Sequence, residues 1–381
     1  MLKKQVASFF QKAFGTKPMM VFSPGRLNII GEHTDYNEGF VFPAAIDKGI
    51  FAAFGDSKNE KCVVHALDMD ESYEFDLNHI SPLENGGWKN YVLGVVQGIL
   101  DAGKKVKPFY LVLRGDIPEG AGLSSSAALE NAVVYGLNEI QQLGLTKTEM
   151  ILISQKAEHE FVGVKCGIMD QFASMFGQKN KALLLDCRSI SAKEFSIDLQ
   201  DYQILLINTN VKHSLADSAY NNRREVCEKV AGLLRIKALR DATAAELFTV
   251  SDVLDEEEYQ MALYVIEENQ RVQQAGLAMQ ENDIPALGRL IYASHHGLQH
   301  QYKVSCEELD FLVDLAKGVP EIAGSRMMGG GFGGCTITII KKNAVQDFKE
   351  KATLAYRNKF ERDCSVYEVS LSEGTHLLAP G

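Results

Sequence analysis

The residues best suited to chemistry lie in four stretches of the sequence. The first is Pro118–Glu130, PEGAGLSSSAALE. Gly120 and Gly122 admit backbone conformations closed to other residues and let a ligand come close. Ala121 and Leu123 sit between and after them. Ser124, Ser125 and Ser126 then open a helix. A helix N-terminus presents unpaired N–H groups and a partial positive charge, which suits phosphate. The serine hydroxyls can bind phosphate oxygens or Mg²⁺. The stretch is either an anion cradle or a well-capped helix after a tight loop. It lacks GxxxxGK[ST], so a nucleotide site here is not of the P-loop kind.

The second stretch is Ser23–Gly39, SPGRLNIIGEHTDYNEG. Arg26, Glu32, His33, Asp35 and Asn37 are hydrogen-bonding groups of several kinds, set between apolar segments. A sugar presents many hydroxyls, each both donor and acceptor. Carboxylate, imidazole and amide match them, and such a site rejects analogues whose hydroxyls point elsewhere. A solvated surface loop is a second reading. A metal site is a third, weakened because one histidine does not fill a zinc shell.

The third stretch is Cys166–Phe172, CGIMDQF, with Asp170 among Ile168, Met169 and Phe172. An acid there needs a partner or a raised pKa, unless it is simply a first-turn carboxylate favoured by the helix dipole. Glu158 precedes it by twelve residues, late in the previous helix, where most charges are solvated. The fourth stretch, Gly329–Gly334, formally matches GxGxxG. The dinucleotide fingerprint needs a strand before and a helix after, whereas here an apolar β-branched run follows. The run reads as a glycine turn or as a backbone wall that admits close approach. His295, His296 and His300 have no acid at HExxH spacing and read as surface or packing residues.

The elements that must position these groups follow from periodicity and punctuation. Leu2, Val6, Phe9, Phe10 and Phe14 recur at helical spacing and predict a docked amphipathic helix. Phe109–Arg114 reads as a strand, Ser124–Gln142 as a helix with Ser124 as N-cap, and Thr146–Val162 as a helix with a Thr146/Glu149 capping box. Met169–Phe176 reads as a short helix stopped by Gly177. Ala182–Cys187 and Gln203–Asn208 read as strands. The second half is mostly helical: Ser214–Leu234, Glu257–Gln280, Ile284–Gln299 and Cys306–Lys317. It closes with strand Cys335–Ile340, helix Ala344–Arg357 and strand Ser365–Ser370. The polar stretch after Cys187 is a candidate junction.

The 381 residues suggest two domains or three, with 46% apolar and 23% charged residues as in ordinary globular chains. The net charge of -11 disfavours a general nucleic-acid binder, and an anionic ligand must bind locally against that field. No apolar run is long enough to span a membrane, and the N-terminus has no secretory h-region. Seven scattered cysteines without CxxC argue against disulfides or structural zinc and for a reducing cytoplasm. The charge and the lack of a long apolar stripe allow a monomer.

Taken together, PGRLNIIGEHTDYNEGFVFP (24–43), PEGAGLSSSAALE and GSRMMGGGFGGC (324–335) resemble the three motifs of the GHMP small-molecule kinases. GRLNIIGEHTDYN is similar to the galactokinase signature, and CGIMDQF and AYNNRREVC (219–227) also resemble that family. The resemblance runs from about Val6 to Ser370. It implies an α/β (α+β type) fold: an S5-like N-terminal domain (1–200), a ferredoxin-like C-terminal domain (201–381) and an active site in the cleft between. It implies phosphorylation of α-D-galactose at the C1 hydroxyl by MgATP. Gly120, Ala121, Gly122, Leu123, Ser124, Ser125 and Ser126 then match the ATP loop. Ser126 and Glu158 match Mg²⁺ ligands. Glu32, His33, Thr34, Asp35 and Tyr220 match sugar contacts. Asp170 matches the catalytic aspartate, and Arg26 the arginine that stabilises the transition state. Galactose and MgATP are the expected partners, with no nucleic acid and no membrane. A related sugar such as N-acetylgalactosamine or arabinose, or a non-catalytic sugar and ATP sensor, is the alternative.

Overall fold

The computed structural model describes residues 1–118, 120–197, 199, 201–211 and 216–379. The expected start of the 214–234 helix and Glu119 of the serine loop lie outside these residues.

Aromatic and β-branched runs build the sheets. Phe109–Gly115 (FYLVLRG) is central to a six-stranded sheet, ordered His376–Leu377, Met19–Asn28, Pro43–Asp56, Phe109–Gly115, Cys62–Ala66, Glu71–Phe75. Its pairings are antiparallel except Cys62–Ala66 with Phe109–Gly115. Phe40–Val41, Lys181–Asp186 and Ser191–Ser196 form a three-stranded sheet, and the polar stretch after Cys187 is the turn of its hairpin. Cys335–Lys341 (CTITIIK) is buried on both faces in an antiparallel sheet ordered Ile322–Met327, Cys335–Lys341, Tyr202–Asn208, Ser365–Glu368. The architecture is the mixed α/β type expected.

The amphipathic N-terminal helix, Leu2–Phe14, docks through Val6 and Phe10, both fully buried, while Phe14 stacks on Tyr110 at 4.0 Å. Burying each such side chain contributes about 1.5–3 kcal/mol. Trp88–Asp101, Ser125–Gln141, Lys147–Ala157 and Met169–Phe176 share a second core with the large sheet. The second half supplies Ala216–Leu234, Glu256–Gln280, Ile284–His300, Glu307–Lys317 and Val345–Phe360. One apolar cluster joins the halves, with Leu27, Ile30, Phe42 and Leu123 against Leu206, Val272, Met328 and Ile337. The chain end returns to the first sheet: Leu371 bridges Ile46, and His376–Leu377 pairs with Met19–Asn28.

Three local expectations change. Ser124 stands at the helix N-cap, but in left-handed conformation and with no side-chain cap bond. Its hydroxyl donates instead to Asp170. The helix from Thr146 has the expected capping box, but ends at Ala157 and widens into a π-helical turn, Glu158–Val162. Such widened turns concentrate at functional sites. Gly177 ends its helix without a left-handed residue (φ -47°, ψ 149°). A side chain there would strike Ala45, so close packing selects glycine.

Candidate active site

Arg26 is aimed by a bulge. The pairing of Met19–Asn28 with Pro43–Asp56 shifts register between Pro24 and Arg26. Proline removes a ladder donor there, and bulges re-aim side chains. Gly25 lets the bulge lie against the serine loop: a Cβ on it would come within 2.6 Å of the Leu123 carbonyl. The Arg26 backbone N–H donates to that carbonyl at 3.1 Å. Its side chain donates from Nη1 to Gly122 O at 2.5 Å. The remaining edge forms a fork on Asp170, Nε to Oδ1 at 2.7 Å and Nη2 to Oδ2 at 2.9 Å. Burial opposes the Arg26 charge, but Asp170 and Glu32 outweigh it and hold its pKa above the ordinary value. Asp170 thus has a partner, as an acid in that apolar stretch requires.

Arg26, Glu32, His33, Asp35, Glu158, Asp170, Tyr220 and Gly330 share the wall of one cavity of about 120 Å³. The polar cluster is therefore not a solvated loop: Arg26, Glu32, His33, Thr34 and Asn37 are all buried. Burial pushes the Asp35 carboxyl up to about 7, with Asp170 adding to it. Gly167 makes room for that carboxylate, since a Cβ on it would collide with Asp35. Burial lowers His33 to about 3, with Arg223 and Arg326 adding to it, so its imidazole is neutral and meets the Tyr36 hydroxyl at 2.8 Å. Tyr220 lies with its ring 5.3 Å from that of His33. Thr34 does not line the cavity. Its hydroxyl donates to Gly31 O (3.0 Å) and Phe40 O (2.6 Å), folding the loop that carries its neighbours.

Glu158 is buried at the widened turn, and desolvation, then Asp170, raises its pKa to about 7. The Ser126 hydroxyl hydrogen-bonds to it, Gln171 Nε2 donates at 2.8 Å and Cys166 Sγ at 3.4 Å. A serine hydroxyl beside one carboxylate, among acids crowded enough to resist ionisation, is an oxygen set that fits Mg²⁺ completed by phosphate oxygens and water.

The serine loop separates two spaces. Gly120 (φ +69°) and Gly122 (φ +67°) take the left-handed turns that glycine permits. Ala121 and Leu123 face the core. The first backbone bond into the helix runs from Ala128 to Ser124, so the preceding amides face out of its end. Beside Ser125 and Ser126 opens a mostly apolar pocket of about 300 Å³ with Met69, Trp88, Tyr91, Leu113 and Leu129. Sequence reasoning missed this pocket. Trp88 is the single tryptophan of the chain and was the available signal. It also missed Arg326, which is fully buried in the third motif. Arg326 donates to Asn28 O, Ile29 O and Met327 O, and its Nη2 reaches Glu32 Oε1 at 3.1 Å. Gly329 N–H donates to the same oxygen at 2.9 Å, which joins the glycine wall to the polar loop. His295 is a packing residue, accepting from Met327 N–H at 3.2 Å.

Sequence models of families assign the class. One described as GHMP kinases N terminal domain matches residues 90–178, and one described as GHMP kinases C terminal matches 277–358. Within that class, the galactokinase galactose-binding signature matches 8–56. The galactokinase of Thermotoga neapolitana is 43% identical over 360 residues, 94% of this chain and all of that one. That of Clostridium perfringens is 39% identical over 376 residues, 96% and 97% of the two chains. The crystal structure of Lactococcus lactis galactokinase complexed with galactose superposes with a TM-score of 0.95 at 32% identity, covering 99% of this chain and all of that one. The chain belongs to the galactokinase family.

Proposed function

We propose that the protein transfers the γ-phosphoryl group of ATP to the C1 hydroxyl of α-D-galactose, releasing ADP and galactose 1-phosphate. The observation that carries this reading is the Arg26–Asp170 fork on the wall that also holds Glu32, His33 and Asp35 of the galactose-binding signature. Phosphoryl transfer needs an in-line hydroxyl, a held phosphate chain and cations on the developing charge. Asp170 accepts the C1 proton as that oxygen bonds to the γ-phosphorus and the bridge to the β-phosphate breaks. Arg26 neutralises charge on the moving group. The outward amides at Ser125 and Ser126 hold phosphate, and the Trp88 pocket beside them takes the adenine. Glu32, His33, Asp35 and Tyr220 meet the sugar hydroxyls.

Ser126 and Glu158 would hold Mg²⁺. When bound, that ion would supply positive charge against the charge that develops during phosphoryl transfer. Glu158→Gln is expected to raise the Mg²⁺ concentration needed for half-maximal turnover by about tenfold or more, with galactose KM little changed. An unchanged Mg²⁺ titration removes Glu158 from the ligand set.

The division into 1–200 and 201–381, a monomeric state and a cytoplasmic location belong to the same proposal. No helix among the described residues is long and apolar enough to cross a membrane. The test is ADP release with MgATP and a panel of sugars. Galactose is expected to exceed glucose, arabinose and N-acetylgalactosamine by at least about 10²-fold in kcat/KM, as polar sites that pair each hydroxyl allow. Equal rates with another sugar, or no release with any, reject the reading.

A further inference from the structure

The polar loop from Gly31 to Gly39 carries Glu32, His33 and Asp35, yet its only regular element is one turn of 3-10 helix, Asp35–Asn37. Its backbone is held from outside. Tyr264 and Glu268 lie one turn apart on the helix Glu256–Gln280, and Asn269 follows on the adjoining side. Tyr264 Oη donates to Glu32 O at 3.0 Å. Gly31 N–H donates to Glu268 Oε1 at 3.0 Å, and Phe40 N–H to Asn269 Oδ1 at 2.9 Å. All three side chains are buried, and none lines the cavity.

The holding groups are themselves oriented. Ser294 Oγ donates to Glu268 Oε1 at 2.6 Å and Arg271 Nε to Oε2 at 2.6 Å. Asn269 Nδ2 donates to Val265 O at 2.9 Å, which turns its oxygen toward the loop. The approach leaves no slack: a Cβ on Gly31 (φ +101°) would lie 2.8 Å from Val272 Cγ2.

We propose that Tyr264, Glu268 and Asn269 are positioning residues for sugar recognition, a rigid helical template that pre-sets the backbone of the sugar-binding loop. This rests on the galactokinase reading above. The physical case is that a loop free to move loses conformational freedom when it closes on a sugar, and that loss weakens binding. A helix that has already fixed both ends of the loop removes it, and holds the donors and acceptors where only one arrangement of hydroxyls fits. No hydrogen bond joins the described residues of the serine loop to this helix, so ATP binding is expected to change little.

Four variants test this: Tyr264→Phe, which removes one hydroxyl and keeps the packing; Asn269→Ala; and the pair Glu268→Leu and Glu268→Gln. Each lost bond is expected to raise galactose KM by ~3–10-fold, with ATP KM within about twofold, and Glu268→Gln is expected to recover most of the loss seen in Glu268→Leu by again accepting from Gly31. Hydrogen exchange of the 29–42 peptide is expected to speed up in Asn269→Ala and Glu268→Leu, and galactose to slow it again. Equal rises in both KM values, or an unchanged galactose KM in Tyr264→Phe and Asn269→Ala together, overturn the template. The wild-type protein separates the two readings: no galactose-dependent ADP release rejects the kinase function. In that case unchanged exchange in the variants rejects the template on its own, and faster exchange upholds it.

Discussion

Asp170→Asn is expected to lower kcat by ~10²–10⁴-fold, the range for losing a positioned proton acceptor, while galactose affinity stays within about threefold. Asparagine preserves the shape of the side chain. It removes the charge that the Arg26 fork grips from two sides, and it cannot take the C1 proton. Its amide can face only one of the guanidinium donors with oxygen, so the variant is also expected to melt earlier. Turnover by ADP release and galactose binding by calorimetry separate the effects. A kcat within fivefold of wild type rules out both a proton-accepting and an electrostatic role for Asp170.

Arg26→Ala is expected to reduce kcat by at least ~10³-fold, the lower end of what one transition-state cation contributes to phosphoryl transfer. Two further losses follow from the geometry. Gly122 O loses its donor, which loosens the serine loop and raises ATP KM. Asp170 is left beside Glu32, Asp35 and Glu158 with no guanidinium on it. Breaking a buried pair costs about 3–5 kcal/mol, and the lower figure applies because the Asp170 side chain keeps 25% of its exposure. Arg26→Lys retains the charge without the fork and is expected to fall between the two. Kinetics and thermal unfolding on all three proteins check this. A kcat within tenfold of wild type in the alanine variant ends the case for Arg26 in catalysis.

Legibility differed between elements and site for a physical reason. The Met169–Phe176 helix, the strand at Phe109 and the capping box at Thr146 were readable because each depends on residues a few positions apart. The strand after the glycine run weighed against a dinucleotide site on the same grounds. Ser124 misled, because local rules assign a serine before a helix to capping. A carboxylate 46 residues away took its hydroxyl instead.

By itself, then, the sequence determined the alternation that makes the strands and helices, the glycine positions that only left-handed turns accept, and the set of polar residues able to meet phosphate and sugar. The tertiary structure decided which of them meet. Arg26 and Asp170 are 144 positions apart, Glu32 and Arg326 are 294, and Gly31 and Glu268 are 237. Burial, which turned a plausible surface loop into a cavity wall and raised Asp35 and Glu158, exists only once the chain has folded and its halves have packed together. No spacing along the chain encodes that contact directly, because it arises from the joint packing of both halves around Leu27, Leu123, Leu206 and Ile337.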